Sequence, residues 1–295
     1  MGVFERSWNI TKLSFDVINK DRELLLFPVL AGIFSLLFIV AILVPTIVVS
    51  LLKGASAQAF GGLEYLLLFV TYLVLAFVAT FFNVCVVYTA KKRFEGGNAT
   101  FRESISFALS RVHLILMWSL LAATVGIILR AIDRSAEKAG GGARVVLKIM
   151  TSLLGMMWSI ITIFVVPAMV YNNLGPVDAI KKSVQVLRKT WGESLVRHFG
   201  LGLVQFIFII IGIVIAIPLF ILLAMLGPAG VVAGIGIFVV YFLGVFLVFG
   251  LANTVFNTAL YAYADTGKIP SGYSEDIMKG AFVERKESFM GRGIV

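Results

Sequence analysis

Residues 198–264 read HFGLGLVQFIFIIIGIVIAIPLFILLAMLGPAGVVAGIGIFVVYFLGVFLVFGLANTVFNTALYAYA and contain no Asp, Glu, Lys or Arg. A hydrocarbon layer of about 30 Å takes roughly 20 helical residues, so this stretch is too long for a single crossing. Leu226-Gly227-Pro228-Ala229-Gly230 is its natural turn, because Gly and Pro together end a helix. Two spans follow, at 199–226 and 231–264. A membrane β-barrel would alternate polar and apolar residues in segments of about ten, and this stretch does not.

Working outward, the chain holds four more apolar runs, at 24–52, 65–90, 112–129 and 149–174. The fold class is therefore all-α, a polytopic membrane protein of six spans arranged as three hairpins. Composition agrees: 60% of residues are hydrophobic, 14% are charged, and the mean hydropathy is +1.00. A soluble domain carries about 25% charged residues. The net charge of +9 does not point to nucleic acid, because the charges sit between the apolar runs. There they fix topology and meet anionic headgroups. The first 23 residues mix both signs of charge, unlike a cleaved signal peptide, so the first span is expected to remain in the mature protein. Cys85 is the only cysteine, which rules out an intramolecular disulfide.

Lys and Arg set the expected orientation. Arg6, Lys12, Lys20 and Arg22 precede the first span. Lys91, Lys92, Arg93, Arg102 and Arg111 follow the second. Lys181, Lys182, Arg188, Lys189 and Arg197 follow the fourth, and Lys268, Lys279, Arg285, Lys286 and Arg292 follow the sixth. These nineteen stand against six on the other side: Lys53, Arg130, Arg134, Lys138, Arg144 and Lys148. The positive-inside rule then places both termini in the cytoplasm, in the cell membrane. The basic 130–148 loop dissents.

Each hairpin is preceded by a stretch with apolar residues at helical spacing, expected to lie on the cytoplasmic surface. The clearest is 176–197, with Val177, Ile180, Val184, Leu187, Trp191 and Leu195 on one face. Lys181, Lys182, Arg188 and Lys189 fall elsewhere and are the expected contacts to lipid headgroups. Pro176 suits a first helical turn. Phe4, Trp8, Phe15 and Ile18 form a similar stripe, as do Phe101, Ile105, Ala108 and Val112. Other features recur in register. Asn83 near the end of the second span matches Asn257 in the sixth, with Pro167 in the fourth. Gly96, Gly175 and Gly267 follow. The reading is one membrane domain over 1–295, with pseudo-repeats at 1–97, 98–174 and 175–267 and a tail at 268–295.

The pattern Ala179-Ile180-Lys181-Lys182-Ser183 followed by Trp191, together with the six-span layout, resembles a group of uncharacterised prokaryotic membrane proteins. These are similar to the membrane domain attached to some glycerophosphodiester phosphodiesterases. The resemblance implies the architecture. It implies no phosphodiesterase activity, because the chain carries no such catalytic domain.

Residues for chemistry are sparse. His113 and His198 stand at span boundaries in different loops, without the cluster a metal needs. No span holds a carboxylate pair, and Glu64 lies at an outer entrance. There is no Walker A sequence or Gly-x-Gly-x-x-Gly loop, and Gly140-Gly141-Gly142 reads as a flexible turn. Proton-driven transporters carry Asp, Glu or His at membrane depth, and this chain does not. No cofactor or metal is expected. What remains is uncharged and polar: Asn253 and Asn257 four residues apart on the sixth span, with Thr254, Thr258 and Tyr261, and Asn83 at similar depth on the second. Asn in hydrocarbon is costly unless bonded, so these side chains are expected to point inward. They would either bond helix to helix or line a polar cavity formed by Asn83, Asn253, Asn257 and Tyr261. Pro45, Pro167 and Pro218 are candidate bends. Gly230, Gly234, Gly236, Gly244 and Gly250 could admit close packing, within the chain or in a homo-oligomer.

Three functions follow. One is a non-enzymatic scaffold or accessory protein holding anionic lipid or a partner protein through its basic surface helices. Another is a channel or facilitator for a small solute or lipid, using the polar cluster. The last is a lipid-modifying enzyme, which the missing acid–base residues disfavour.

Overall fold

The computed structural model describes residues 3–53, 62–191 and 200–273, with side chains over 7–42, 44–45, 66–188 and 201–273. His198, Arg197, Leu195 and the tail beyond Tyr273 lie outside the described residues, as do the side chains of Phe4, Glu64, Lys189 and Trp191. All described regular structure is helical. In chain order it comprises α1 (Val3–Lys20), α2 (Leu26–Lys53), α3 (Gly62–Phe94), α4 (Phe101–Ser110) and α5 (Val112–Lys138). Then come α6 (Gly141–Thr162), α7 (Val165–Asn172), α8 (Pro176–Trp191), α9 (Gly200–Ala224) and α10 (Pro228–Thr266). Six segments are long and apolar enough to cross a membrane, the fourth made of α6 and α7 together.

The turn expected at 226–230 is where the chain turns. α9 ends at Ala224, Gly227 takes a φ of 81° that only glycine adopts readily, and Pro228 opens α10 with its φ already helical. At the other end of α10, Gly267 caps the helix with φ 71°, its N–H donating to the Tyr263 carbonyl at 2.8 Å.

Packing is concentrated at one end of the bundle. Val84–Val87 of α3, Val165–Val170 of α7 and Leu251–Tyr261 of α10 supply its buried centre, and α3 touches α2, α4, α5, α7 and α10. Arg93 and Asp21 mark this end, where they pair. Large apolar side chains toward the opposite end, such as Val146, Met150, Leu222 and Val232, stay more than half exposed. A hydrocarbon solvent exerts no hydrophobic force against that, so such residues need not be buried. α1 and Tyr273 also meet at the Arg93 end, where the Ser14 and Tyr273 hydroxyls lie 3.1 Å apart. The two ends of the described chain therefore share one side of the bundle.

The three prolines behave differently. Pro45 and Pro218 sit inside continuous helices, whereas the fourth crossing breaks between Thr162 and Val165, just before Pro167. A proline ring clashes with the carbonyl four residues back, here Ile163, and cannot donate to it. The broken turn is answered from α8. The buried Ser183 hydroxyl donates to the Ile161 carbonyl at 2.6 Å, and its oxygen accepts from the Phe164 N–H at 3.3 Å. The side of α8 that packs on the protein is therefore Ala179, Ser183, Val186 and Leu187, while Val177 is 56% exposed. A small residue and a hydroxyl are what the break admits. On α1, Ser7, Ile10, Thr11, Ser14, Val17 and Ile18 are buried, with α9 and α10 packed against the helix, and Trp8 stands half exposed. On α4 the buried positions are Ser104 and Ala108, with a capping box between Thr100 and Glu103 fixing its start.

Candidate functional site

Two polar regions stand out at or near membrane depth. The first lies at the Arg93 end and is largely paired, although the buried Tyr171 hydroxyl beside the Tyr261 ring has no hydrogen-bond partner. Arg93 donates through Nε and Nη2 to both Asp21 carboxylate oxygens, a fork that ties the turn between α1 and α2 to the end of α3. Asp265 of α10 accepts from Lys182 at 2.6 Å and from Asn172 at 3.3 Å. Asn172 in turn accepts from the Tyr261 hydroxyl. Asn173 ends α7 in the left-handed region, φ 52°, and accepts from Arg111 Nε at 2.8 Å. The Asp265 and Asn172 contacts join α7, α8 and α10, and the Arg111–Asn173 bond anchors the start of α5 to the end of α7.

The second region is open. α2 and α10 both pack along α3 but barely touch each other, leaving a groove of about 350 Å³ over α3. Ala31, Gly32 and Ser35 line it from α2, Ala79, Phe82 and Asn83 from α3, and Phe246, Gly250 and Thr254 from α10. No lining residue is charged. A Cβ added at Gly32 or at Gly250 would meet nothing within 4 Å. These small residues therefore widen the groove instead of drawing two helices together. Asn83 sits in its wall with its amide oxygen buried and without a hydrogen-bond partner. Asn83 precedes Lys91 by eight residues, about 12 Å along the helix axis, so this orphaned acceptor lies within the hydrocarbon layer. An unpaired buried amide oxygen is costly, on the order of 1–3 kcal/mol; it is shielded from the groove as it stands, and a ligand hydroxyl or N–H would relieve it once the side chain turns into the groove. Thr254 is the polar residue of the α10 wall; its hydroxyl donates to the Gly250 carbonyl at 3.2 Å, leaving the oxygen free to accept.

The four residues expected to cluster do not meet in one place. Asn83 is in the groove wall; Asn253 is exposed on α10, contrary to the expected inward direction; Asn257 is half-buried; and Tyr261 belongs to the paired region. Thr254, one position from Asn253, takes the place expected of Asn253. Of the expected headgroup contacts, Lys181 pairs with Asp178 at 3.1 Å and Lys182 with Asp265, while Arg188 is exposed. Gly32 and Ser35 were not singled out from sequence, and Ser183 stood only within the Ala179–Ser183 pattern, with no role of its own. Two small residues, Ala31-Gly32, within a run of bulky ones were the available signal for the groove. His113 is exposed, and among the described residues no three His, Cys, Asp or Glu side chains come together as metal ligands.

Comparison with curated proteins finds no match. A family model described as a family of unknown function, DUF6159, matches residues 62–272, from the first residue of α3 to the residue before Tyr273. The match covers two walls of the groove, α3 and α10, and the paired region from Lys91 to Asp265. With well over half of its length matched, the chain belongs to the DUF6159 family.

Proposed function

We propose that this protein binds an uncharged, hydroxyl-bearing lipid in the groove between α2 and α10, and serves as a facilitator for that lipid. The observation that carries the reading is the Asn83 amide oxygen, buried and unpartnered beside an uncharged groove widened by Gly32 and Gly250. A charged headgroup would find no counter-charge among the lining residues. A hydroxyl can both donate to Asn83 and accept, and an acyl chain suits Phe82 and Phe246. The scaffold reading has less support, because two of the lysines it relies on are already paired with Asp178 and Asp265.

The same reading sets the Arg93 end toward the cytoplasm, with both termini there, on the strength of nineteen basic residues against six. It takes α1, α4 and α8 as amphipathic helices at that surface. The order of one short helix and two long crossings, recurring three times, supports a threefold repeat.

Photolabelling tests the central reading. A diazirine-bearing diacylglycerol should label residues 79–86 and 246–254 of the purified protein, and Gly32→Leu with Gly250→Leu should abolish that labelling while the protein stays folded. Equal labelling in the double variant, or none above that of a matched diazirine-phosphatidylglycerol, would sink the proposal.

A further inference from the structure

The basic stretch that dissents from the expected orientation forms a recess of its own, remote from the groove. Arg130, Arg134 and Lys138 stand four residues apart along the end of α5 and so share one face. With Ser135, and with Leu68 of α3 and Ile127 as an apolar floor, they line a cavity of about 200 Å³ at the end opposite Arg93. Asp133 and Glu137 follow Arg130 and Arg134 by three residues, a spacing that favours ion pairs. Yet among the described residues none of the three cations makes an ion pair. The contrast with the other end is direct, since Asp21 and Asp265 there hold Arg93 and Lys182. Three like charges aligned on one face repel one another, and an anion seated between them would remove that repulsion.

We infer that this recess is a binding site for the phosphate of an anionic lipid headgroup. Arg130 and Arg134 offer forked donors suited to phosphate oxygens, and Lys138 adds a third charge at the rim. Leu68 and Ile127 lie where the first carbons of an acyl chain would follow. That apolar floor favours a lipid over free phosphate, which would gain nothing from it.

The test compares three probes on the detergent-purified full chain: dioctanoyl-phosphatidylglycerol, dioctanoylglycerol and inorganic phosphate, each read by thermal unfolding. Dioctanoyl-phosphatidylglycerol should stabilise the wild type, and R130Q/R134Q should bind it at least about tenfold more weakly, as expected when two charge-assisted contacts are lost. R130K/R134K should recover most of that loss. Labelling of the groove by the diazirine diacylglycerol should be unchanged in R130Q/R134Q, which separates this site from the first. K138Q, at the exposed rim, gives a weaker response in the same direction and serves if the double variant does not fold. Equal stabilisation of wild type and variants, or no response of the wild type, overturns the site. A response to inorganic phosphate equal to that of the lipid overturns the lipid assignment.

Discussion

The seam between α9 and α10 and the seam between α2 and α10 are both rich in glycine, and they use it in opposite ways. In the first, a Cβ on Gly230 would come within 1.8 Å of the Leu223 carbonyl oxygen, and one on Gly234 within 2.8 Å of the Phe220 ring. Gly212 of α9 makes room in the same way for the Tyr241 ring, whose hydroxyl donates to the Phe208 carbonyl at 2.8 Å. In the second seam, Gly32 and Gly250 face empty space. Small residues in a membrane helix therefore do not by themselves declare an interface; what stands opposite decides whether they close a contact or hold one open.

Substitutions along both seams can break this comparison. The largest effect is expected at Gly230, where the obstacle is backbone. Gly230→Ala should destabilise by about 3 kcal/mol, read as a fall in thermal unfolding temperature in detergent. An unchanged temperature would mean the α9–α10 turn has slack. Next is Ser183→Ala, which removes the hydroxyl that the Phe164 N–H donates to at the break in the fourth crossing and should cost about 2 kcal/mol. Hydrogen exchange at Phe164 should rise in the same variant; wild-type protection there would show that another group satisfies the break. Gly234→Ala should cost about 1 kcal/mol, because the flexible Phe220 ring can turn aside. Gly250→Leu comes last for stability, within about 0.5 kcal/mol of wild type, since its side chain enters open space. It should still remove most diacylglycerol labelling, and a large loss of stability there would mean the groove closes in the membrane.

The six crossings were legible because uncharged runs of this length have one favourable solvent. The 226–230 turn and the N-terminal proline of α8 were legible because Gly and Pro restrict backbone angles locally. What each helix faces was much less so. α10 is apolar around its whole circumference, so nothing in its pattern distinguishes Asn253 from Thr254, which stand about 100° apart on the helix. Thr254 reached the groove because α10 packs on α3 and α9 at once, a tertiary outcome. Which sides of α1 and α8 meet the protein was hidden for a related reason. Hydrophobicity singles out Trp8 and Val177, which stay exposed, whereas the buried sides carry Ser7, Ser14, Ala179 and Ser183, which fit tight gaps. Pro167 was visible as a possible break; the partner that makes the break tolerable was not, because Ser183 looks like any surface serine until α8 is in place.

That serine also sets an order of events. The broken turn at Ile161–Phe164 leaves the ribosome before its partner does, since Ser183 lies 19 residues behind Phe164. At ribosomal rates of about 5–20 residues per second, the interval is on the order of one to four seconds. During it the break lacks the Ser183 hydroxyl, a reason for the fourth crossing to linger beside the insertion machinery until α8 has emerged.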